Sequence, residues 1–136
     1  MANKYDRLFN MCKKGILLTQ ENVGDGMILV DRETFQLIIP SDNTDEHGDF
    51  FINSIKGHDC FSYDSKSTLV YRVLDGEGEF IIEDESSFVK PGDIITIQPN
   101  TIFAYKGKML LILEMTPNFM EENDHFVKKV DYDVDR

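Results

Sequence analysis

The residues best suited to chemistry stand in two groups: His58, Asp59 and Cys60 are consecutive, and Tyr71, Tyr105 and Glu114 follow at wide spacing. A histidine beside a carboxylate can act as a general base when both turn toward a cavity. A cysteine two residues from a histidine offers a second reading, an activated nucleophile, because on an alternating strand the two share a face. Adjacent strand residues face opposite sides, which argues against a His58–Asp59 pair. Glu114 has apolar neighbours, and a buried carboxylate near tyrosines would have a raised pKa suited to acid or base work. His58 and Glu114 are therefore the candidate catalytic residues. His47 in an acidic loop, His58 at a Gly-His-Asp turn and His125 within helical reach of Glu121 also fit the ordinary description of surface histidines.

The elements that must position these groups are legible from periodicity. Tyr5, Leu8, Phe9 and Cys12 fall at helical spacing, with Lys13 and Lys14 in the last turn and Gly15 as a stop. This predicts a short amphipathic helix within residues 1–15, its apolar face covered by the end of a barrel or by a partner subunit. From residue 16 to 116, β-branched and aromatic runs bounded by Gly, Asp, Asn and Pro predict strands at 27–30, 35–39, 50–55, 69–74, 79–82, 88–89, 94–97, 102–105 and 109–115. So many short strands in one domain mean an all-β sandwich or barrel. The polar stretches 41–48 and 59–68 read as loops flanking a barrel mouth. Residues 117–136 form a C-terminal tail packed partly on the body.

Composition narrows the partners. The 136 residues suffice for one domain and a sizeable core. Fourteen Lys and Arg against 25 Asp and Glu give a net charge of −11, which repels phosphate backbones and anionic headgroups, so neither nucleic acid nor membrane is an expected partner. No long apolar run opens the chain, and a cytoplasmic location is expected. Cys12 and Cys60 lie far apart and read as buried thiols outside any disulfide.

The stretch 69–105 carries Asp75-Gly76-Glu77-Gly78-Glu79, then Val89-Lys90-Pro91-Gly92-Asp93, then Gln98-Pro99-Asn100-Thr101. In these motifs, residues 50–116 resemble the cupin superfamily, in particular its small single-domain RmlC-like members. The resemblance implies a double-stranded β-helix, a jelly-roll barrel, assembled as a homodimer with a pocket between the two motifs. Metal-dependent cupins carry a pair of histidines one residue apart, a glutamate seven residues before the turn glycine, and a histidine in the second motif. Here those positions fall near Ser62 and Asp64, on Leu69, and on Phe103. Leu and Phe offer no lone pair, so neither a metal nor another cofactor is expected.

If Leu69 faces inward, alternation places Tyr71 and Val73 inward with it and Arg72 outward, and Phe103 brings Tyr105. The side that Glu114 takes depends on whether the turn at 106–108 holds a bulge. The candidate ligand-binding set is thus Leu69, Tyr71, Phe103 and Tyr105, with Asp64 at the rim. Two phenols on an apolar wall suit a small organic molecule such as a carbohydrate. The same aromatics equally suit a solidly packed barrel, which would make the chain a structural or regulatory dimer. A third reading is a metal-independent isomerase or epimerase, similar to cupin-fold enzymes that pair a histidine with a tyrosine; His58 with Tyr71 or Tyr105 is the pair on offer.

Overall fold

The computed structural model describes residues 4–132. After α1 (Asp6–Lys13) and the short α2 (Gln20–Val23) come eleven strands among the described residues. They are β1 (Met27–Asp31), β2 (Phe35–Pro40), β3 (Gly48–Ser54), β4 (Cys60–Asp64), β5 (Thr68–Gly76) and β6 (Gly78–Ile82). The chain continues through β7 (Glu85–Val89), β8 (Ile94–Ile97), β9 (Phe103–Lys106), β10 (Met109–Thr116) and β11 (Asp124–Lys129). A six-stranded sheet runs β1-β2-β3-β10-β5-β8, a five-stranded sheet runs β11-β4-β9-β6-β7, and every pairing is antiparallel.

The main core lies between the sheets. Phe50 and Ile52 of β3, Leu69, Tyr71 and Val73 of β5, and Leu111, Leu113 and Met115 of β10 meet Phe80 of β6 and Phe103 and Tyr105 of β9. Strand period decides this: the β5 residues that alternation directs inward are buried, while Arg72 between them is exposed. In β10 both parities are apolar because both faces are covered. Leu110 belongs to a second cluster, on the outer face of the large sheet, with Tyr5, Leu8, Leu18, Val23, Ile38 and Phe51.

That second cluster corrects two expectations. The apolar face of α1 covers neither a barrel end nor a partner, but the outside of the six-stranded sheet. A second helix also follows Gly15, closed by a capping box in which Thr19 and Asn22 each accept the other's backbone N–H. The helical segment is pinned by Tyr5, whose hydroxyl donates a short hydrogen bond to Asp49, while Lys4 sits 2.8 Å from the same carboxylate. Burial, reinforced by Asp49, pushes the Tyr5 phenol well above its ordinary pKa, so it remains a donor. Tyr5→Phe is expected to destabilise the protein by about 1.5–3 kcal/mol, the usual range for a hydrogen bond to a charged group. Urea denaturation checks this, and a change below about 0.5 kcal/mol would contradict it.

Two strands lie where the sequence reads as loop or tail. β4 is polar because its inward positions are Ser62 and Asp64, which hides the apolar alternation on which strand assignment depends. β11 pairs with it, Asp124 opposite Asp64, and remains largely exposed on its other face. No helix among the described residues is long and apolar enough to cross a membrane.

The β5–β6 turn depends on Gly76. Its φ is +83°, and a Cβ there would lie 2.2 Å from the Lys108 carbonyl oxygen. Gly92, at φ +95°, faces open space. Gly76→Ala combines left-handed strain, about 1–3 kcal/mol, with a backbone clash. Gly92→Ala adds strain alone, so the two unfolding midpoints should separate, Gly76→Ala lying lower.

Candidate functional site

His58 is fixed through its backbone. It follows Gly57, which bridges to Lys106, and its N–H donates to the Tyr105 carbonyl at 2.9 Å. Its own carbonyl accepts from the Tyr132 hydroxyl at 2.6 Å. Held between β9 and the end of the chain, the imidazole stacks on Tyr105 at 5.1 Å between centroids and on Phe103 at 5.5 Å, with interplanar angles of 25° and 14°. Nδ1 is buried with no hydrogen-bond partner. Burial lowers the imidazole pKa, against the opposing influences of Asp59 and the Cys60 backbone. This corrects the surface reading of His58: a Gly-His-Asp turn looks solvent-bound in sequence, but here β9 supplies the wall.

Tyr71 enters from the opposite sheet. Its ring lies 5.5 Å from Tyr105, 5.8 Å from Phe103 and 5.1 Å from Phe80, edge-on in each case. Burial raises both phenol pKa values, so Tyr71 and Tyr105 carry their protons and can donate them. Leu69, Tyr71, Phe103 and Tyr105 do face inward together, each no more than 6 % exposed, and they pack against one another as core. A groove of about 690 Å³ is lined by other residues, among them Thr34, Asp59, Cys60, Val130 and Tyr132.

The remaining candidates divide. Asp64 is buried; its Oδ1 accepts the N–H groups of Lys66 and Ser67, and its Oδ2 is buried without a partner. Facing it across the β4–β11 pair, Asp124 has a raised pKa from burial and then from Asp64 itself. Glu114 points away from the barrel. The register shift lies between Leu110 and Leu111, and Glu114 reaches Arg72 at 3.4 Å and His47 at 3.5 Å on the outer face, in a separate recess of about 360 Å³. It belongs to a surface ion network, far from the phenols, because that parity of β10 packs toward α1. His125 pairs with no helical neighbour but stacks on Tyr63 at 4.7 Å, since its segment is strand.

At the positions where metal-binding cupins hold their ligands, the chain presents buried Leu69 and Phe103 and the small polar Ser62 beside Asp64. One carboxylate and one hydroxyl do not make a three-donor set, so these residues do not fit that metal. His58, Asp59 and Cys60 are different. His58 and Asp59 lie in the bend that leads into β4 and Cys60 is the first residue of that strand, and the three side chains bring ligand-type atoms within 4.8 Å of one another. Burial, then Asp59, pushes the Cys60 thiol to about 11, which argues against a ready nucleophile. Thr34 and Tyr132 at this groove carry no signal in the sequence: one precedes an ordinary strand, the other stands in an acidic tail.

No protein-family model and no curated protein sequence matches the chain. Solved structures do. Pac13, described as a unique nucleoside dehydratase, superposes with a TM-score of 0.75 at 22 % identity, over 79 % of this chain and 89 % of that one. Streptomyces structures of it with uridine carry single replacements of a histidine by glutamine or of a tyrosine by phenylalanine. Those three positions are 13 and 34 residues apart in order, and His58, Tyr71 and Tyr105 have the same two separations. An RmlC-like cupin from Shewanella frigidimarina matches at TM-score 0.61 and 18 % identity, over 73 % of this chain and 90 % of its own. Ectoine synthase from P. lautus matches at 0.63 and 14 %, over 87 % and 94 %. With two antiparallel sheets closing on an aromatic core, the chain has the fold of the cupin superfamily.

Proposed function

We propose that this protein binds a small polar ring compound of the nucleoside class at the His58 end of the barrel. There it moves protons between substrate carbon and oxygen without a metal. The observation that carries the reading is the convergence of one imidazole and two phenols: His58 stacks on Tyr105, and Tyr71 closes the same wall from the other sheet. The matching separations of a histidine and two tyrosines in a structural neighbour described as a nucleoside dehydratase support it.

The roles follow from chemistry. His58 is the group able to take a proton from a carbon beside a carbonyl, and the phenols, kept protonated, can offer their O–H groups to a substrate oxygen. A phenol can hand its proton to a leaving hydroxyl, which departs as water, or to an enolate oxygen, which reverses to an epimer. Elimination and epimerisation thus share one first step. The ligand would bind in the groove that Asp59 and Cys60 line and approach the His58 imidazole from there, the phenols behind it being packed in the core.

The deciding experiment incubates the protein in deuterium oxide with uridine and related nucleosides, including carbonyl-bearing ones, and follows carbon-bound deuterium and product formation by NMR. Protein-dependent exchange supports the reading. Its absence across the series, together with no uridine binding by calorimetry, would refute it.

A further inference from the structure

We infer that His58, Asp59 and Cys60 form a three-ligand site for a soft divalent cation such as zinc, and that the cation silences the barrel by occupying the imidazole. The competition clause rests on the proposed function; the site itself does not. One nitrogen, one carboxylate oxygen and one sulfur lie within 4.8 Å of one another. In a tetrahedral zinc site with bonds of about 2.0–2.3 Å, donors stand roughly 3.3–3.8 Å apart, so a closure of about 1 Å by side-chain rotation is enough. The mixed nitrogen, oxygen and sulfur set favours zinc or cobalt over calcium or magnesium, which prefer all-oxygen shells.

Three further observations point to a ligand there. His58 Nδ1 is buried and unpartnered, an expensive state for a polar atom. Asp59 is exposed and makes no ion pair among the described residues, so its charge is available. Asp59 and Cys60 both line the groove, which supplies an entry path and leaves the fourth coordination position to water. Its three donors are not the residues at the cupin ligand positions, although the His58 ring stacks on one of those, Phe103.

Binding must deprotonate the thiol: the cation forms a bond to Sγ, and the Cys60 proton passes to solvent. Affinity should therefore rise with pH, with about one proton released per cation.

The test uses the full chain, stripped with a chelator and titrated with cobalt(II). The expected result is one equivalent bound, with a near-ultraviolet thiolate-to-cobalt absorption. Cys60→Ser should abolish that band and Cys12→Ser should leave it. Asp59→Asn, at an exposed position that folding tolerates, should weaken binding by about tenfold or more. No band in the wild type, or a band lost with Cys12 rather than Cys60, overturns the site. Zinc should then suppress deuterium exchange in proportion to occupancy, and full occupancy with undiminished exchange overturns the competition. Tyr71→Phe separates the two ideas, since it should lose exchange yet keep the cobalt band. The cobalt result is readable even if no nucleoside reacts.

Discussion

His58→Gln is expected to lower the rate of protein-dependent deuterium exchange into a nucleoside substrate by about 10²–10⁴, the usual contribution of a positioned general base. Glutamine keeps much of the size and polarity of the imidazole but cannot gain and lose a proton near neutral pH. The structural change should be small, because the peptide of residue 58 is anchored independently of its side chain. Its N–H bonds the Tyr105 carbonyl and its carbonyl accepts from Tyr132. The measurement is NMR of isotope incorporation alongside near-ultraviolet circular dichroism, and a folded variant with wild-type exchange would remove His58 from the chemistry. Tyr71→Phe is the companion, expected to fold normally because it retains the ring and its contacts with Phe80, Phe103 and Tyr105.

The largest effect on stability is expected from Phe80→Ala, at about 3–5 kcal/mol. Phe80 is fully buried in β6, and its ring lies 5.1 Å from Tyr71 and 5.2 Å from Tyr105, so it joins the two sheets. Truncation would leave a cavity under both candidate phenols, and a loss of this size is a large part of the total stability of a small domain, about 5–15 kcal/mol. Phe88→Ala in the adjoining β7 is the control. Phe88 is 68 % exposed, and its replacement should change stability by no more than about 0.5 kcal/mol. Guanidinium denaturation of both variants checks the contrast, and similar losses at the two positions would refute it.

Several features of the site were legible in the sequence because they depend on near neighbours. The inward set Leu69, Tyr71 and Val73 and the outward Arg72 follow from a pleat of period two. Phe103 and Tyr105 follow in the same way. Residues 106–108 do not reveal the side of Glu114; in the structure β10 alternates without interruption, Met109, Leu111, Leu113 and Met115 facing the core, and the extra residue at the register shift is Leu74 of β5. β4 was missed because its buried positions are Ser62 and Asp64, and β11 because its role is to complete an edge. The pairing of these two strands is what places Asp64 opposite Asp124.

By itself, the sequence determined an all-β barrel with turns at Gly76 and Gly92 and apolar residues, Leu69 and Phe103, at two of the cupin ligand positions. Turn chemistry and strand alternation act over a few residues and are written locally. Only the tertiary structure decided that His58 leaves the surface to stack on Phe103 and Tyr105, that α1 covers a sheet instead of a partner, and that His58, Asp59 and Cys60 converge. Each of these rests on segments distant along the chain meeting across a β-pairing or a packed face. The hydrogen bond from the His58 N–H to the Tyr105 carbonyl and that from the Tyr132 hydroxyl to the His58 carbonyl fix His58 in place, and no periodicity around residue 58 encodes them.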